Sequence, residues 1–314
     1  MRSATNLLLL ILAPLAGIAL LFALLLVADR YFGAPGAGRD YVLRIPLPQA
    51  GGRLGLPPIE GPLDASRPLV VIDAGHGGHD PGAGAGTLRE KDITLALAQA
   101  LRVRLLADGG VRVALTRDSD RFLLLPERAE IARELKADLF ISIHADSAAN
   151  PDAWGATLYT LSDRGSNEEA SRLAASENRA DTVNGVALSG QSDAVSAILV
   201  DLSQRESAAQ AAEFARLVLR EGTGKIDFRE RSIQSAAFIV LKSADVPSVL
   251  FEAGYLSNQN DAARLASPEG RQSFAEVTAR AIRIHFARRL AQAATGAPAP
   301  PPATAVPEPT GTGD

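Results

Sequence analysis

Cysteine is absent from the 314 residues, which excludes every disulfide and every thiolate metal site. The chain therefore tolerates an oxidising compartment without depending on one. Methionine and tryptophan occur once each, and histidine four times, at His76, His79, His144 and His285. Any imidazole metal site must be drawn from those four. Charge of one sign is also scarce. The formal net charge of −4 is too weak to argue for nucleic-acid binding, which usually shows as a basic face or stripe. What remains is ordinary for a globular chain that buries a core, at 46% hydrophobic and 22% charged residues. The length allows one large domain or two small ones, at about 150 residues each.

Long apolar runs are confined to the N-terminus. Met1 and Arg2 are followed by Leu7 to Val27 without a charged residue. At about 1.5 Å per residue, that run can cross a hydrocarbon core of about 30 Å. The usual small-residue cleavage pattern does not follow it, so residues 1–30 read as an uncleaved signal-anchor, with a cleaved signal as the alternative. Either way the body is exported. Residues 31–67, rich in Gly, Pro and Ala, read as a tether. Residues 294–314 read as a disordered Pro/Ala-rich tail.

The body, residues 68–293, alternates strand-like and helix-like segments. Strands are expected at Leu69–Asp73, Val111–Thr116, Asp138–His144, Gly155–Leu161, Phe238–Leu241 and Ser248–Phe251. Helices are expected at Asp92–Leu106, Pro126–Leu135 and Pro268–Leu290. Such alternation predicts an α/β domain with helices on both faces of a sheet. Residues 162–224 break the pattern. They read as helical, without a convincing strand, and lie between two sheet strands as an insertion.

Three segments carry chemistry. Asp73-Ala-Gly-His-Gly-Gly-His-Asp-Pro-Gly-Ala83 places His76 just past a strand, in a glycine-rich turn that lets backbone approach a ligand closely. Arg89-Glu-Lys-Asp92 places Glu90 at a helix start. Ile141-Ser-Ile-His-Ala-Asp146 places His144 at the carboxyl end of an apolar strand, where open α/β sheets bind ligands. Two histidines and a carboxylate suit catalytic zinc, which takes three protein ligands and leaves a fourth position open. The spacing itself is not diagnostic, and turn or core histidines remain the other reading. Glu252, closing the apolar segment Val249-Leu-Phe-Glu252, is a candidate general base and acid. As a lone carboxylate it reads equally as a cap or surface group.

Taken in order, VVIDAGHGGHDPGA, LREKDITL, TRDSD, ADLFISIHAD and PSVLFEAGYLSN resemble the zinc-dependent N-acetylmuramoyl-L-alanine amidase family. The resemblance spans the body. It implies a mixed central sheet flanked by helices, one Zn2+ held by His76, Glu90 and His144, and Glu252 as the catalytic glutamate. It implies hydrolysis of the amide between N-acetylmuramic acid and L-alanine in peptidoglycan, in wall remodelling and daughter-cell separation. Two departures stand out. The Asn usual after the second ligand histidine is missing from His144-Ala145-Asp146, and an upstream Arg-x-x-x-Ala-Asn pattern reads Arg128-Ala-Glu-Ile-Ala-Arg133. Both put substrate contacts, not the metal, in doubt. Asp73 and Asp146 are candidates to orient a ligand histidine from beyond the metal. His79 reads as an exposed turn residue and His285 as structural.

In the division-associated branch of the family, a helical insertion at this place blocks the site until an activator protein displaces it. The resemblance thus implies that residues 167–186 occlude the groove, with Glu177 as a blocking zinc contact. A solvated amphipathic helix is the plainer reading. The expected setting is periplasmic, with the membrane, peptidoglycan and an activator as partners. Two rival functions remain: a catalytically silent wall-binding protein on the same fold, and a zinc hydrolase of another amide.

Overall fold

The computed structural model describes Leu20 and residues 55–148, 150, 153–183, 186–187, 197–243 and 245–295. The chain divides into two compact units, residues 1–52 and 53–314. In the first unit only Leu20, a helical residue, is described, so the apolar run, most of the tether and nearly all of the tail lie outside the described residues. Among described residues no helix is long and apolar enough to cross a membrane.

Six strands form the main sheet: β1 (Leu69–Ala74), β4 (Arg112–Leu115), β5 (Leu139–His144), β6 (Ala156–Leu161), β9 (Phe228–Ala236) and β10 (Ser248–Glu252). Their order is β4-β1-β5-β10-β6-β9. The first four run parallel, β6 is antiparallel to β10, and β9 is parallel to β6, so the sheet is mixed. The apolar runs of β1, β5 and β10 are buried along their whole length, as strands covered on both faces must be. Alternate side chains serve opposite layers. Val70, Ile72, Ile141 and Phe251 face α1 (Glu90–Asp108), the insertion helix α4 (Ala197–Gly222) and the closing helix α6 (Pro268–Thr295). Leu69, Val71, Phe140 and Leu250 face α2 (Leu125–Glu134) and the insertion helix α3 (Glu168–Glu177). Two-residue pairings, β2 (Gly84–Ala85) with β3 (Leu88–Arg89) and β7 (Thr182–Val183) with β8 (Val186–Ala187), and α5 (Gln259–Ala266) complete the elements.

Three sequence expectations need correction. Phe238–Leu241 is not a strand; Ile239–Leu241 forms a short 3-10 turn, and the strand runs earlier, at β9. β9 carries no apolar signal because it is an edge strand whose exposed Glu230 and Arg231 interrupt any apolar run, as charges on sheet edges commonly do. Among the described residues of the insertion are two helices, Glu168–Glu177 and Ala197–Gly222, and also strand pairing, β7 antiparallel to β8, where no strand was expected. The tether does not run free to residue 67. Glu60 exchanges backbone hydrogen bonds of 2.8 and 2.9 Å with Val113, because β4 is the other sheet edge and has unpaired backbone groups to offer. Arg102 fixes the strap, its Nε donating to Glu60 Oε1 at 2.6 Å.

Candidate metal centre

The site grows out of strand order. β1, β5 and β10 lie side by side and parallel, and each delivers one side chain at its carboxyl end. His144 ends β5, Glu252 ends β10 opposite it in register, and His76 lies two residues past β1. Glu90 opens α1, where the positive helix terminus favours a carboxylate. It also ties the loop down: its backbone N–H donates to Ala83 O at 2.8 Å, and its Oε2 accepts from Ala83 N at 2.8 Å. Its Oε1 accepts from Ala145 N at 2.8 Å, locking the helix to the strand that carries His144.

Two glycines make room for this convergence. A Cβ on Gly75 would stand 2.6 Å from His144 Nε2. One on Gly82, whose φ is +63°, would stand 2.6 Å from both Glu90 Oε2 and the His76 ring. His76 itself has φ 59°, a left-handed conformation uncommon outside glycine. Two buried arginines hold that backbone. Arg128 donates to Ala74 O, His76 O and Asp73 Oδ1, and Arg117 donates to Ala74 O and Gly75 O.

His76, Glu90 and His144 each point a donor atom into one space, all within 4.8 Å of one another. Glu177, at the end of α3, joins them. His76 Nε2 lies 3.1 Å from Glu90 Oε2 and 3.4 Å from Glu177 Oε2; His144 Nδ1 lies 3.2 Å from Glu90 Oε1 and 3.1 Å from Glu177 Oε2. Ligands at about 2.0–2.1 Å from a tetrahedral ion are about 3.3 Å apart, the spacing seen here. His76 Nε2 and Glu177 Oε2 are buried yet lack a hydrogen-bond partner, so at short range they aim at a common point and not at each other. The donor set fits a divalent cation.

The electrostatics agree. Burial opposes charge on His144, but Glu177 and Glu90 outweigh it and push its pKa up to about 10. Burial also opposes charge on Glu177, and the two histidines bring its pKa down to about 2. Glu252 is fully buried, and burial together with Asp146, Glu90 and Glu177 outweighs His144 and raises its pKa well above the carboxylate range. Its Oε2 accepts from Asp146 N at 3.1 Å while Oε1 has no partner. A dication would relieve this crowding of carboxylates and reverse the local field.

For His76 the orienting residue is Asp80 and not Asp73 or Asp146: Asp80 Oδ2 holds His76 Nδ1 at 2.8 Å. Asp73 is turned to Thr116, Ser142 and Arg128, bracing the strands beneath the site. Asp146 serves through its backbone N–H, on Glu252, while burial raises its carboxyl to a pKa of about 7. Asp80 had a signal in the sequence: it stands four residues past His76 in the same glycine-rich turn. His79 is exposed and rests on Phe122, ring centroids 4.1 Å apart. His285 is buried beside Phe214 and Phe286, away from the cluster.

The centre is closed. Glu90 and Glu252 are 0% exposed, His144 2%, Glu177 5% and His76 7%. The cover is α3, whose Ala170, Leu173 and Ala174 pack on the core. Polar clamps fix its ends. Asn167 caps the helix through Ala170 N and reaches Gln234; Asn178 bridges Ala237 O and Ile239 N; Asp181 accepts from Leu125 N.

A family model described as N-acetylmuramoyl-L-alanine amidase (Amidase_3) matches residues 70–284. The chain is 38% identical over 223 residues to the N-acetylmuramoyl-L-alanine amidase AmiA of Salmonella typhimurium, covering 70% of this chain and 77% of that one. It is 34% identical over 252 residues to AmiC of Escherichia coli O6:H1, covering 79% of this chain but only 58% of the relative's length. Among solved structures it is similar to the amidase AmiC2 of Nostoc punctiforme, with 31% identity, a TM-score of 0.51, and coverage of 70% of this chain and 98% of that one.

Proposed function

The chain belongs to the N-acetylmuramoyl-L-alanine amidase family, and from that premise we propose that it is a zinc-dependent hydrolase cutting the amide between N-acetylmuramic acid and L-alanine in peptidoglycan. The observation that carries this reading is the convergence of His76 Nε2, His144 Nδ1 and a Glu90 carboxylate oxygen beside Glu252 at three neighbouring strand ends. A zinc ion bound there would supply Lewis acidity, polarising the lactyl carbonyl and making water acidic near neutral pH. His76, Glu90 and His144 would hold the ion, and Asp80, on His76 Nδ1, leaves the His76 Nε2 turned to the place it would take. Glu252 accepts the proton of the attacking water at Oε1, the oxygen without a partner, and passes it to the departing alanine nitrogen. Oε2 stays anchored on the Asp146 N–H throughout.

In this reading α3 is autoinhibitory. Glu177, whose Oε2 lies 3.1 Å from His144 Nδ1 and 3.4 Å from His76 Nε2, would be a further ligand to a bound ion, and substrate enters only when an activator protein draws the helix away. The burial of every acting group supports this, since a glycan strand has no path to a carboxylate that is 0% exposed. The N-terminal apolar run supports export to a periplasm and attachment to the membrane.

The test is digestion of purified peptidoglycan by the full chain and by Glu177→Ala, with zinc and then with a chelator. The point variant is preferable to deletion of residues 167–186, which would uncover the core beneath Leu173. Stem peptides released faster by the variant and stopped by the chelator support the enzyme and its block together. Zinc retained without any released peptide would favour a wall-binding protein.

A further inference from the structure

We propose that Arg229 is a specificity residue: once α3 leaves, its guanidinium binds a carboxylate of the stem peptide in the place Glu169 now fills. This rests on the amidase and autoinhibition readings above. Arg229 stands on β9 and has two partners of different kinds. One is fixed: Tyr255 accepts from Nη1 at 2.8 Å through its hydroxyl, and its ring lies beneath the guanidinium, 5.3 Å from centroid to Cζ. Tyr255 is buried, three residues past Glu252, and feels the charge of Glu252. The other partner is removable: Glu169 Oε1, 2.6 Å from the same nitrogen, belongs to the helix that must move.

α3 therefore presents two carboxylates, Glu177 at the metal centre and Glu169 on Arg229. Eight residues of helix place them about 12 Å apart along the axis. An extended peptide covers that distance in three to four residues, at about 3.3–3.6 Å each. A stem peptide whose scissile amide replaces the Glu177 carboxylate thus brings its acidic group, about three residues on, to Arg229. Displacing the helix leaves a guanidinium already oriented by Tyr255, and such a group selects carboxylates by paired hydrogen bonds. The helix is in this sense a mimic of the acidic peptide it excludes.

The discriminating experiment breaks the one ion pair from either side in the full chain, as Glu169→Gln and as Arg229→Gln, each combined with Glu177→Ala. A mere latch predicts the same behaviour from both. The probes are N-acetylmuramoyl tripeptides with free carboxylates at the second and third residues, and the same compounds as primary amides. Binding and KM are read for each. The expected result is a preference for the acid of about tenfold or more in the Glu169→Gln chain, lost in the Arg229→Gln chain through KM with kcat little changed. Equal behaviour of the two chains, whether as a shared preference, no preference or no binding, overturns the assignment. Failure of the amidase reading looks different: the acid preference is present in binding, but no stem peptide is released.

Discussion

The ligand cluster and the helix that covers it are built on opposite principles. His144 and Glu252 end strands in continuous ladders with a dry core on both faces, and Glu90 is locked by three backbone contacts of 2.8 Å. Moving either strand residue means breaking the sheet, and moving Glu90 means breaking its contacts to the His76 loop and to β5. α3 has a short apolar stripe and a handful of separate polar clamps, each replaceable by water. Side-chain hydrogen bonds of this kind each contribute about 1 kcal/mol. The autoinhibition proposed above predicts this division: the groups that stay rest on the sheet and on α1, and Glu177, the group that would leave, rests on a helix held by fewer contacts, which opens at lower cost than the sheet.

Substitutions can break that division, starting with the largest effect. Glu252→Ala should lower turnover by about 10²–10⁴, the usual worth of a positioned acid–base group, while zinc stays bound. Assays of peptidoglycan hydrolysis with metal analysis on one sample decide it, and normal turnover would remove Glu252 from its role. Asp80→Ala should weaken zinc affinity by about 10–100-fold with the fold intact, measured by competition with a chromophoric chelator. An unchanged affinity would mean the His76 ring is held by the backbone alone. Glu177→Ala should raise basal hydrolysis by on the order of tenfold, equivalent to about 1.4 kcal/mol of cover stability. Unchanged activity would make α3 a permanent wall of the site. Asn167→Ala, which removes the helix cap, should loosen the cover by about 1 kcal/mol. Hydrogen exchange in α3 should rise about fivefold while β5 and β10 stay protected. Equal loosening of strands and helix would dissolve the distinction.

Much of this was legible in the residues. The runs Leu69–Asp73, Asp138–His144 and Ser248–Phe251 announce buried strands because each is built round an unbroken apolar stretch of three or four residues, and the histidines at or just past two of their ends announce a ligand edge. β9 was not legible, because an edge strand needs no apolar pattern when one side faces water. The part played by Asp80, in place of Asp73 or Asp146, was hidden too. Strand periodicity puts Asp73 near the site, but only the turn through Gly77 and Gly78, closed by the paired backbone bonds of Gly77 and Asp80, swings Asp80 back onto His76.

By itself the sequence determined the chemistry available to this protein: no thiols, four imidazoles, and carboxylates placed at strand and helix ends. It also determined the central strands β1, β5 and β10, since burial on two faces demands unbroken apolar runs. Tertiary structure decided which groups meet. The order β1-β5-β10 places His76, His144 and Glu252 side by side from positions far apart in the chain, and the fold of the insertion brings Glu177 to the same point. Periodicity is a property of neighbours along the chain, whereas a metal site is a property of strand order, and strand order is settled only by how the whole core packs.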